Sequence, residues 1–173
     1  KQYNFDAISL MPTNLYGPGD NYHHTNSHVL PAFINKFHTA IENKNEEVFC
    51  WGTGNPLREF LHVDDLANAA LFALEKYKTL ISNNKFKEQP EFLNVGTGND
   101  ISIKDLAILI AAKIGFKGKI IWDKSKQDGT PRKLLDVTRI NKLGWNASIS
   151  LERGIEETIK SYIYEKENNQ LRC

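Results

Sequence analysis

Short apolar runs alternate along this chain with longer stretches in which apolar residues recur every three or four positions. The short runs are bounded by Gly, Pro, Asn and Asp, which is typical of strands, whereas the longer spacing is typical of amphipathic helices. Strands that alternate with helices indicate an α/β fold. The predicted strands are Ala7–Met11, which we expect to be buried, Val48–Trp51, Arg58–Val63, which alternates, Glu91–Val95 and Lys119–Trp122.

Capping residues mark the ends of several predicted helices. Ser102 and Asp105 resemble a capping box that opens the helix IKDLAILIAAKI, and Gly115 is its expected end. Asp64 and Asp65 are expected to cap the helix LANAALFALEKY, because short acidic side chains satisfy free N–H groups. The other predicted segments are a helix from Pro31 to about Glu42, a surface loop or frayed helix end over Lys78–Pro90, a short helix capped by Thr138 and ended by Gly144, and a helix capped by Ser150 that runs from Leu151 to about Glu167.

The number of predicted strands is small for the length of the chain. Five short strands are too few for a complete doubly wound domain. Gly52–Pro56 (GTGNP) is expected to be a hairpin-like turn between two of them. The chain begins without Met and enters a strand-like segment within a few residues, so we expect it to be part of a longer protein.

Composition narrows the classes of partner. Lys and Arg total 22 and Asp and Glu total 21, so the formal net charge is +1. This balance gives no argument for nucleic acid or an anionic membrane as a partner. No apolar run approaches the roughly 18 residues of a membrane span, and no signal peptide is visible. Two cysteines, Cys50 and Cys173, make no disulfide framework, which favours a reducing cytoplasm.

The polar corner after the first predicted strand is the first candidate binding region. Pro12–Leu15 (PTNL) follows the carboxyl end of that strand, which is where ligands bind in open α/β sheets. The alternative is a rigid turn in which Asn14 satisfies its own backbone. The residues alone leave both interpretations open.

Histidine is the side chain best suited to proton transfer near neutral pH. His28 stands at a predicted helix start, where burial or the helix dipole could hold it neutral. His23 and His24 lie in a loop and are expected to be solvated, and His38 and His62 are expected to be packed side chains. No spacing of His, Cys or Glu in the chain fits a metal site.

A few cations could bind an anionic ligand. These are Lys36, Arg58, Arg132 and Lys133. Guanidinium groups bind phosphate oxygens bidentately, and the face of Trp51 offers a surface on which a base or sugar can stack. The alternative for each cation is a solvated surface charge. The two GTG segments lack the full glycine fingerprint and are weak as phosphate loops.

Tyr162 and Lys166 reproduce the spacing Tyr-x-x-x-Lys, with which short-chain dehydrogenases move a hydroxyl proton. The pair lies near the end of the chain among Glu157, Glu165 and Glu167, on a helix of surface type. We therefore reject it as catalytic.

Six segments, taken in order, carry a resemblance to a known family. They are MPTNLYGPGDN, NSHVLPAFINKFH, WGTGNPLREFLHVDDLANA, NVGTG, DGTPRKLLDVTRINKLGW and ISLERGIEETI. Together they closely resemble the GDP-L-fucose synthase family of extended short-chain dehydrogenases/reductases, across essentially the whole chain. The match is to the C-terminal half of that family, and NSHV with DGTPRKLLDVTR is its narrower signature.

The resemblance implies the C-terminal portion of a Rossmann-like NAD(P)-binding fold, with an incomplete sheet and a small substrate-binding domain. Residues 1–15 would be a residual Rossmann strand and a cofactor-side loop, and residues 16–173 a substrate-binding region with some core strands and helices. The NADP-binding segment of the family, with its catalytic Ser, Tyr-x-x-x-Lys pair and Cys, would precede Lys1. We therefore expect the fragment alone to be inactive.

The family converts GDP-4-keto-6-deoxy-D-mannose to GDP-L-fucose by epimerisation at C3 and C5 and NADPH-dependent reduction at C4. By resemblance, His28 is the general acid of the epimerisation and lies close to NADP. The nicotinamide end of NADP would be bordered by Pro12, Thr13, Asn14 and Leu15. The GDP-sugar would be contacted by Lys36, Trp51, Arg58 and Asp128, while Cys50 would be a core residue.

Two alternatives stay open. One is another nucleotide-sugar enzyme, of the GDP-mannose 4,6-dehydratase or UDP-sugar 4-epimerase type, against which the segment NSHVLP argues. The other is a non-catalytic nucleotide-sugar-binding module. By resemblance we expect the full-length enzyme to be a cytoplasmic homodimer, with a GDP-sugar substrate and without nucleic-acid, membrane or metal partners.

Overall fold

The structure is a computed structural model, and it describes residues 7–82 and 92–172. Strands and helices alternate over these residues, which confirms the predicted α/β class. The strands are β1 (Ser9–Pro12), β2 (Asn14–Tyr16), β3 (Glu47–Trp51), β4 (Leu57–His62), β5 (Phe92–Val95), β6 (Asp100–Ser102), β7 (Lys119–Asp123) and β8 (Arg132–Lys133). The helices are α1 (Val29–Glu42), α2 (Val63–Ser82), α3 (Ile103–Ile114), α4 (Thr138–Lys142) and α5 (Leu151–Glu167).

Most strand pairs are parallel. β1 pairs with β5, β2 with β4, β3 with β7 and β8 with β4, and only β6 runs antiparallel to its partner β4. The chain changes partner at Thr13, because Pro12 is in register with Val95 and Asn14 with Phe60. The Thr13 N–H still donates to the Val95 carbonyl (3.1 Å). The corner therefore joins two sheets at the carboxyl end of β1.

Two hydrophobic clusters form the core. The larger lies among α1, α3 and α5, with Phe37, Ile110 and Tyr162 fully buried. The smaller contains Leu93 of β5 and Trp145, and it closes the opposite side of β4. Because both clusters meet at β4, that strand is covered on both faces.

Two strand predictions were wrong in detail. The first strand exists, but β1 is largely exposed rather than buried, and Met11 is 52% exposed. An apolar strand is buried only where other elements cover its faces. Among the described residues, β1 pairs with β5 alone, and in this strand only Leu10 packs against the smaller cluster. β4 does not alternate, because Glu59–His62 are all buried under the two clusters.

The turn Gly52–Pro56 is not a hairpin. β3 pairs with β7 and β4 pairs with β2, β6 and β8, so the two strands that flank the turn belong to different sheets. The described residues form eight strands where five were predicted. The strands missed are β2, β6 and β8, which are too short for any periodicity to show.

The helix ends agree with the local capping signals in two cases. The Asp105 N–H donates to Ser102 Oγ (3.0 Å), the Ser102 hydroxyl donates back to the Asp105 carboxylate (2.6 Å), and Gly115 ends α3 in a left-handed conformation (φ 84°). The Arg153 N–H donates to Ser150 Oγ (3.4 Å) at the start of α5. Both predicted caps are confirmed.

Two other predicted caps were wrong. α2 begins at Val63, so Asp64 and Asp65 lie within its first turn, where acidic residues suit the positive end of the helix dipole, but they do not cap it, and the Asp65 carboxylate binds residues before α5, as described below. The N–H of Thr138 donates to Asp136 Oδ1 (2.9 Å), so the aspartate, not Thr138, satisfies the start of α4. In both cases a tertiary or neighbouring partner competes with the expected cap.

The predicted loop Lys78–Pro90 is helical as far as Ser82, and its remaining residues lie outside the described part of the chain. Among the described helices, none has the length and apolar character needed to cross a membrane.

Candidate functional site

The corner Pro12–Leu15 is tied to β4 rather than to itself. The Asn14 amide Nδ2 donates to the Glu59 carbonyl (2.7 Å), and the Thr13 hydroxyl donates to the same oxygen (3.2 Å). The alternative in which Asn14 satisfies its own backbone is therefore not what the structure shows. The corner lies at the carboxyl ends of β1 and β5, the edge at which open α/β sheets bind ligands.

His28 is the N-cap residue of α1, and its side chain makes no capping hydrogen bond. Residue 28 is exposed, so the burial suggested for this histidine is not found. Asp20 lies close enough for the charge of His28 to act on its carboxyl group, and Asp20 Oδ1 accepts from the Asn21 N–H (2.7 Å). Burial raises the pKa of Asp20, and the Asn21 hydrogen bond and the charges of His28 and Arg172 oppose that rise.

The other histidines have local roles. His23 Nδ1 accepts from the Thr25 N–H (3.1 Å), and its ring stacks on His24 (4.6 Å between centroids). His62 is buried and accepts at Nδ1 from the Asp64 N–H, and His38 packs edge-on against Tyr162. His38 and His62 are thus packed side chains, as predicted.

Lys36 and Trp51 come together at the end of β3. The Lys36 ammonium donates to the Phe49 carbonyl (3.1 Å) and lies 5.7 Å from the centroid of the Trp51 ring. Lys126 Nζ lies 5.8 Å from the same ring. Trp51 is nevertheless 67% exposed, so its indole remains available to a stacking partner.

Asp128 is held next to Trp51 by the turn that follows β3. Its Oδ1 accepts from the Thr53 N–H (2.8 Å) and its Oδ2 from the Thr53 hydroxyl (2.6 Å), and these bonds, the hydroxyl's first, lower the pKa of Asp128. Glycine is required at position 52 for two reasons. Its φ is 81°, and a Cβ atom would overlap the Asp128 carboxylate.

Arg58 completes the group from β4. Its guanidinium donates to the Leu57 carbonyl (2.7 Å), and a Cβ on Gly129 would lie 3.2 Å from Nη2, so the residue after Asp128 runs close beside it. Lys36 therefore lies over Trp51, Thr53 in the following turn holds Asp128, and Gly129 next to Asp128 runs beside Arg58, which brings the four predicted residues into one region. We call this surface, formed by these residues with Thr53 and Lys126, the Trp51 surface.

The other two predicted cations do not join the Trp51 surface in the same way. Arg132 Nε donates to Asp100 Oδ2 (2.5 Å), so its charge is already paired, and Lys133 is exposed on β8. The residues that sequence reasoning missed are Thr53 and Lys126. Their only signal was their position in the sequence, Thr53 two residues after Trp51 and Lys126 two residues before Asp128.

Tyr162 and Cys50, neither of which was predicted to be catalytic, are core residues. Tyr162 is fully buried and its hydroxyl donates to Asn35 Oδ1 (3.0 Å), while Lys166 pairs with Glu42, so the pair lies among core and surface contacts of α1 and α5. Cys50 is a buried free thiol, as predicted, and burial raises its pKa. No group of three or more His, Cys, Asp or Glu side chains that could hold a metal occurs in the described ranges.

The pKa of Asp128 gives a direct test of this geometry. Replacing Thr53 by Val removes the hydroxyl donor, so the pKa of Asp128 should rise towards its ordinary value. The carboxylate of the native chain stays ionised further into acid, and the favourable contribution of this bond is lost as the pH falls through the lowered pKa. NMR titration of the Asp128 carboxyl carbon measures the shift, with the exposed Thr130→Val as control. An unchanged pKa in Thr53→Val would contradict the assignment.

Comparison with known proteins extends these observations. A model of the NAD dependent epimerase/dehydratase family matches residues 1–96. The chain is 51% identical to GDP-L-fucose synthase 1 of Arabidopsis thaliana over 162 residues, which cover 94% of this chain and 47% of that protein. It is 49% identical to GDP-L-fucose synthase of Escherichia coli (strain K12) over 165 residues, which cover 94% of this chain and 50% of that protein.

A solved structure with a similar fold is also known. A GDP-L-fucose synthetase of Naegleria fowleri bound to NADP matches with a TM-score of 0.80 at 28% identity, covering 94% of this chain and 48% of that one. The chain thus spans about half the length of the curated relatives it matches.

Proposed function

This chain belongs to the NAD dependent epimerase/dehydratase family, and we propose that it is the substrate-binding half of a GDP-L-fucose synthase. The full-length enzyme would convert GDP-4-keto-6-deoxy-D-mannose to GDP-L-fucose by epimerisation at C3 and C5 and reduction at C4. The single observation that carries the proposal is the Trp51 surface, which brings an exposed aromatic face, cations and a carboxylate together.

Each group on that surface suits one part of a GDP-sugar. The exposed indole of Trp51 offers a face to the guanine ring. Lys36 and Arg58 can balance the charge of the diphosphate, and a guanidinium binds phosphate oxygens bidentately. Asp128, whose lowered pKa keeps it ionised, can accept a hydrogen bond from a base N–H or a sugar hydroxyl.

The residues at the corner fit the nicotinamide end of NADP. The side chains of Thr13 and Asn14 donate to the Glu59 carbonyl, which holds Pro12–Leu15 at the carboxyl ends of β1 and β5. These residues and His28 would border the cofactor, which supplies hydride when bound. On this proposal residues 1–15 form the cofactor side and residues 16–173 the substrate side.

His28 would act as the general acid of the epimerisation. The 4-keto group acidifies the neighbouring carbons, so a base removes a proton at C3 or C5 and an acid returns one. The imidazole is exposed and makes no capping hydrogen bond, so it can reach a ligand. The general base would come from outside the described residues, as the resemblance implies.

The proposal extends to the setting of the enzyme. We propose a cytoplasmic homodimer, on the basis of the resemblance and of a sequence with only two cysteines, Cys50 and Cys173. Light scattering of the full-length protein tests the dimer, and a monomer at micromolar concentration would contradict it.

Calorimetric titration of this chain with GDP tests the substrate role. Trp51→Ala should weaken GDP and guanosine alike, by about tenfold, because base–aromatic stacking is worth about 1–3 kcal/mol. Arg58→Ala should weaken GDP by about tenfold or more and leave guanosine unchanged, because it removes a charge-assisted bond to phosphate. In the full-length enzyme the same change should mainly raise KM.

The matched control is Lys124→Ala, which removes an exposed cation from the segment that carries Asp128. GDP affinity should be unchanged in this variant. Absence of GDP binding by the folded wild-type chain, or a stronger response to UDP than to GDP, would overturn the proposed function.

A further inference from the structure

Glu59 is a fully buried carboxylate on β4 that the proposed mechanism does not use. Its Oε1 accepts from the N–H groups of Thr97 and Gly98, each at 2.7 Å. Its Oε2 accepts from the Leu135 N–H at 3.0 Å. Both oxygens therefore act as acceptors, and backbone donors surround the group from two separate segments of the chain.

The neighbouring glycines show that the chain is shaped around this carboxylate. A Cβ atom on Gly96 would overlap Glu59 Oε1, so no larger residue fits at that position. Gly98 has a φ of 75°, which turns its N–H towards the same oxygen. The segment NVGTG, weak as a phosphate loop, is thus explained as the cradle of Glu59.

The same residue also reaches the cofactor-side corner. The main-chain carbonyl of Glu59 accepts the hydrogen bonds from Thr13 and Asn14 described above. Glu59 is therefore bonded to the corner by its carbonyl, to the turn after β5 by Oε1 and to Leu135 by Oε2. It is the residue at which these three segments meet.

Leu135 ends the segment 124–135, which carries Asp128, and we call this segment the Asp128 loop. The loop begins after β7 and is exposed along most of its length. Its described attachments to β4 and β6 include β8, the Arg132–Asp100 ion pair and the Leu135–Glu59 bond. An exposed ion pair restrains weakly, whereas a bond to a buried carboxylate is costly to break.

We propose that Glu59 is the positioning residue of the substrate site. It would hold the Asp128 loop against β4, so that Asp128 and the adjacent Arg58 face one ligand. This role rests on the proposed function, because it gives the positioned residues a GDP-sugar to bind. It also predicts that loop order and nucleotide affinity depend on the same buried carboxylate.

The substitution Glu59→Gln should break the hydrogen bond to Leu135 and keep those to the turn after β5. The amide oxygen should take the Oε1 position, where several donors converge, which leaves the amide NH₂ opposite the Leu135 N–H. Two donors then face each other, so the Leu135 attachment is lost while the turn after β5 is kept. The variant therefore releases the Asp128 loop in particular.

Trypsin cleavage and GDP titration of the 173-residue chain measure whether the Asp128 loop is released. The loop contains the cleavage sites Lys124, Lys126, Arg132 and Lys133. In Glu59→Gln we expect cleavage at these sites to rise by about tenfold and GDP affinity to fall by about tenfold, the change that corresponds to losing one bond to a charged group. Guanosine affinity should fall as well, because Asp128 can bond to the base or a sugar hydroxyl, but stacking on Trp51 should be kept because Trp51 lies on β3 and not on the loop.

A core variant controls for general destabilisation. Ile110→Val removes one methyl group from the larger cluster without touching Glu59 or the loop. It should raise cleavage at all sites together and leave the GDP affinity of the folded chain unchanged. If Glu59→Gln resembles Ile110→Val in both the pattern of cleavage and GDP affinity, the positioning role is wrong.

The two readouts also separate this proposal from the one on which it rests. If the wild-type chain binds GDP and Glu59→Gln behaves like Ile110→Val, the positioning role is refuted and the proposed function is not. Loop-specific cleavage in Glu59→Gln, together with wild-type chain that does not bind GDP, refutes the proposed function and leaves Glu59 as a residue that orders the Asp128 loop.

Discussion

Replacing His28 by Gln or Asn in the full-length enzyme should abolish exchange of the C3 and C5 protons of the 4-keto sugar, with a loss of about 10²–10⁴-fold. An amide is similar in size to imidazole but cannot give or take a proton at neutral pH. Because His28 makes no capping hydrogen bond, the change should leave α1 intact. Some reduction of the unepimerised ketone should remain, since that step does not need the acid.

Deuterium incorporation from heavy water, followed by NMR, measures this loss directly. The matched control is His24→Gln, which alters an exposed histidine in the same loop that stacks on His23. Exchange should be normal in that variant. Normal incorporation in His28→Gln would remove His28 from the mechanism, and loss of exchange in both variants would point to disruption of the loop instead.

Replacing Asp65 by Ala should cost about 3 kcal/mol of unfolding free energy, because it removes several hydrogen bonds to a buried carboxylate. The carboxylate of Asp65 is buried and accepts from the Ser148 N–H (3.1 Å), the Ser148 hydroxyl (2.8 Å) and the Ile149 N–H (2.9 Å). These bonds fasten the segment before α5 to the first turn of α2. Burial, and next the charge of Asp65, raise the pKa of Tyr16.

Urea denaturation measures the difference, and Asp64 provides the control from the adjacent position. Asp64 lies in the same helical turn, but its side chain is 72% exposed. Asp64→Ala should therefore cost only about 0.3–1 kcal/mol, the value of an acidic residue near a helix N-terminus. Equal losses of unfolding free energy in the two variants would contradict the tertiary role of Asp65. They would indicate that both residues act only at the N-terminus of the helix.

The helices were predictable because their signals are local. Ser102 and Asp105 are three residues apart, and the bonds between them need only one turn of helix. Gly115 ends α3 because a left-handed residue without a Cβ is favoured there. The prediction failed at Asp65 and Thr138, where short polar side chains could choose between the helix end and another partner.

The site was only partly predictable. Residue types and the family resemblance named Lys36, Trp51, Arg58 and Asp128, and the structure brings them onto one surface. The substrate contacts themselves stay predictions. Nothing in the spacing of the sequence singled out Glu59, because its partners Thr97 and Leu135 follow it by 38 and 76 residues.

The sequence by itself determined the alternation of strands and helices, the ends of α3 and α5 and the candidate cations and histidine. These depend on periodicity and on bonds within one turn, which short segments carry alone. Only the tertiary structure decided which strands pair, that β1 is exposed, and where the buried carboxylates of Glu59 and Asp65 bind. Those outcomes depend on donors from distant segments, and a buried carboxylate takes whichever backbone N–H groups the folded chain brings to it.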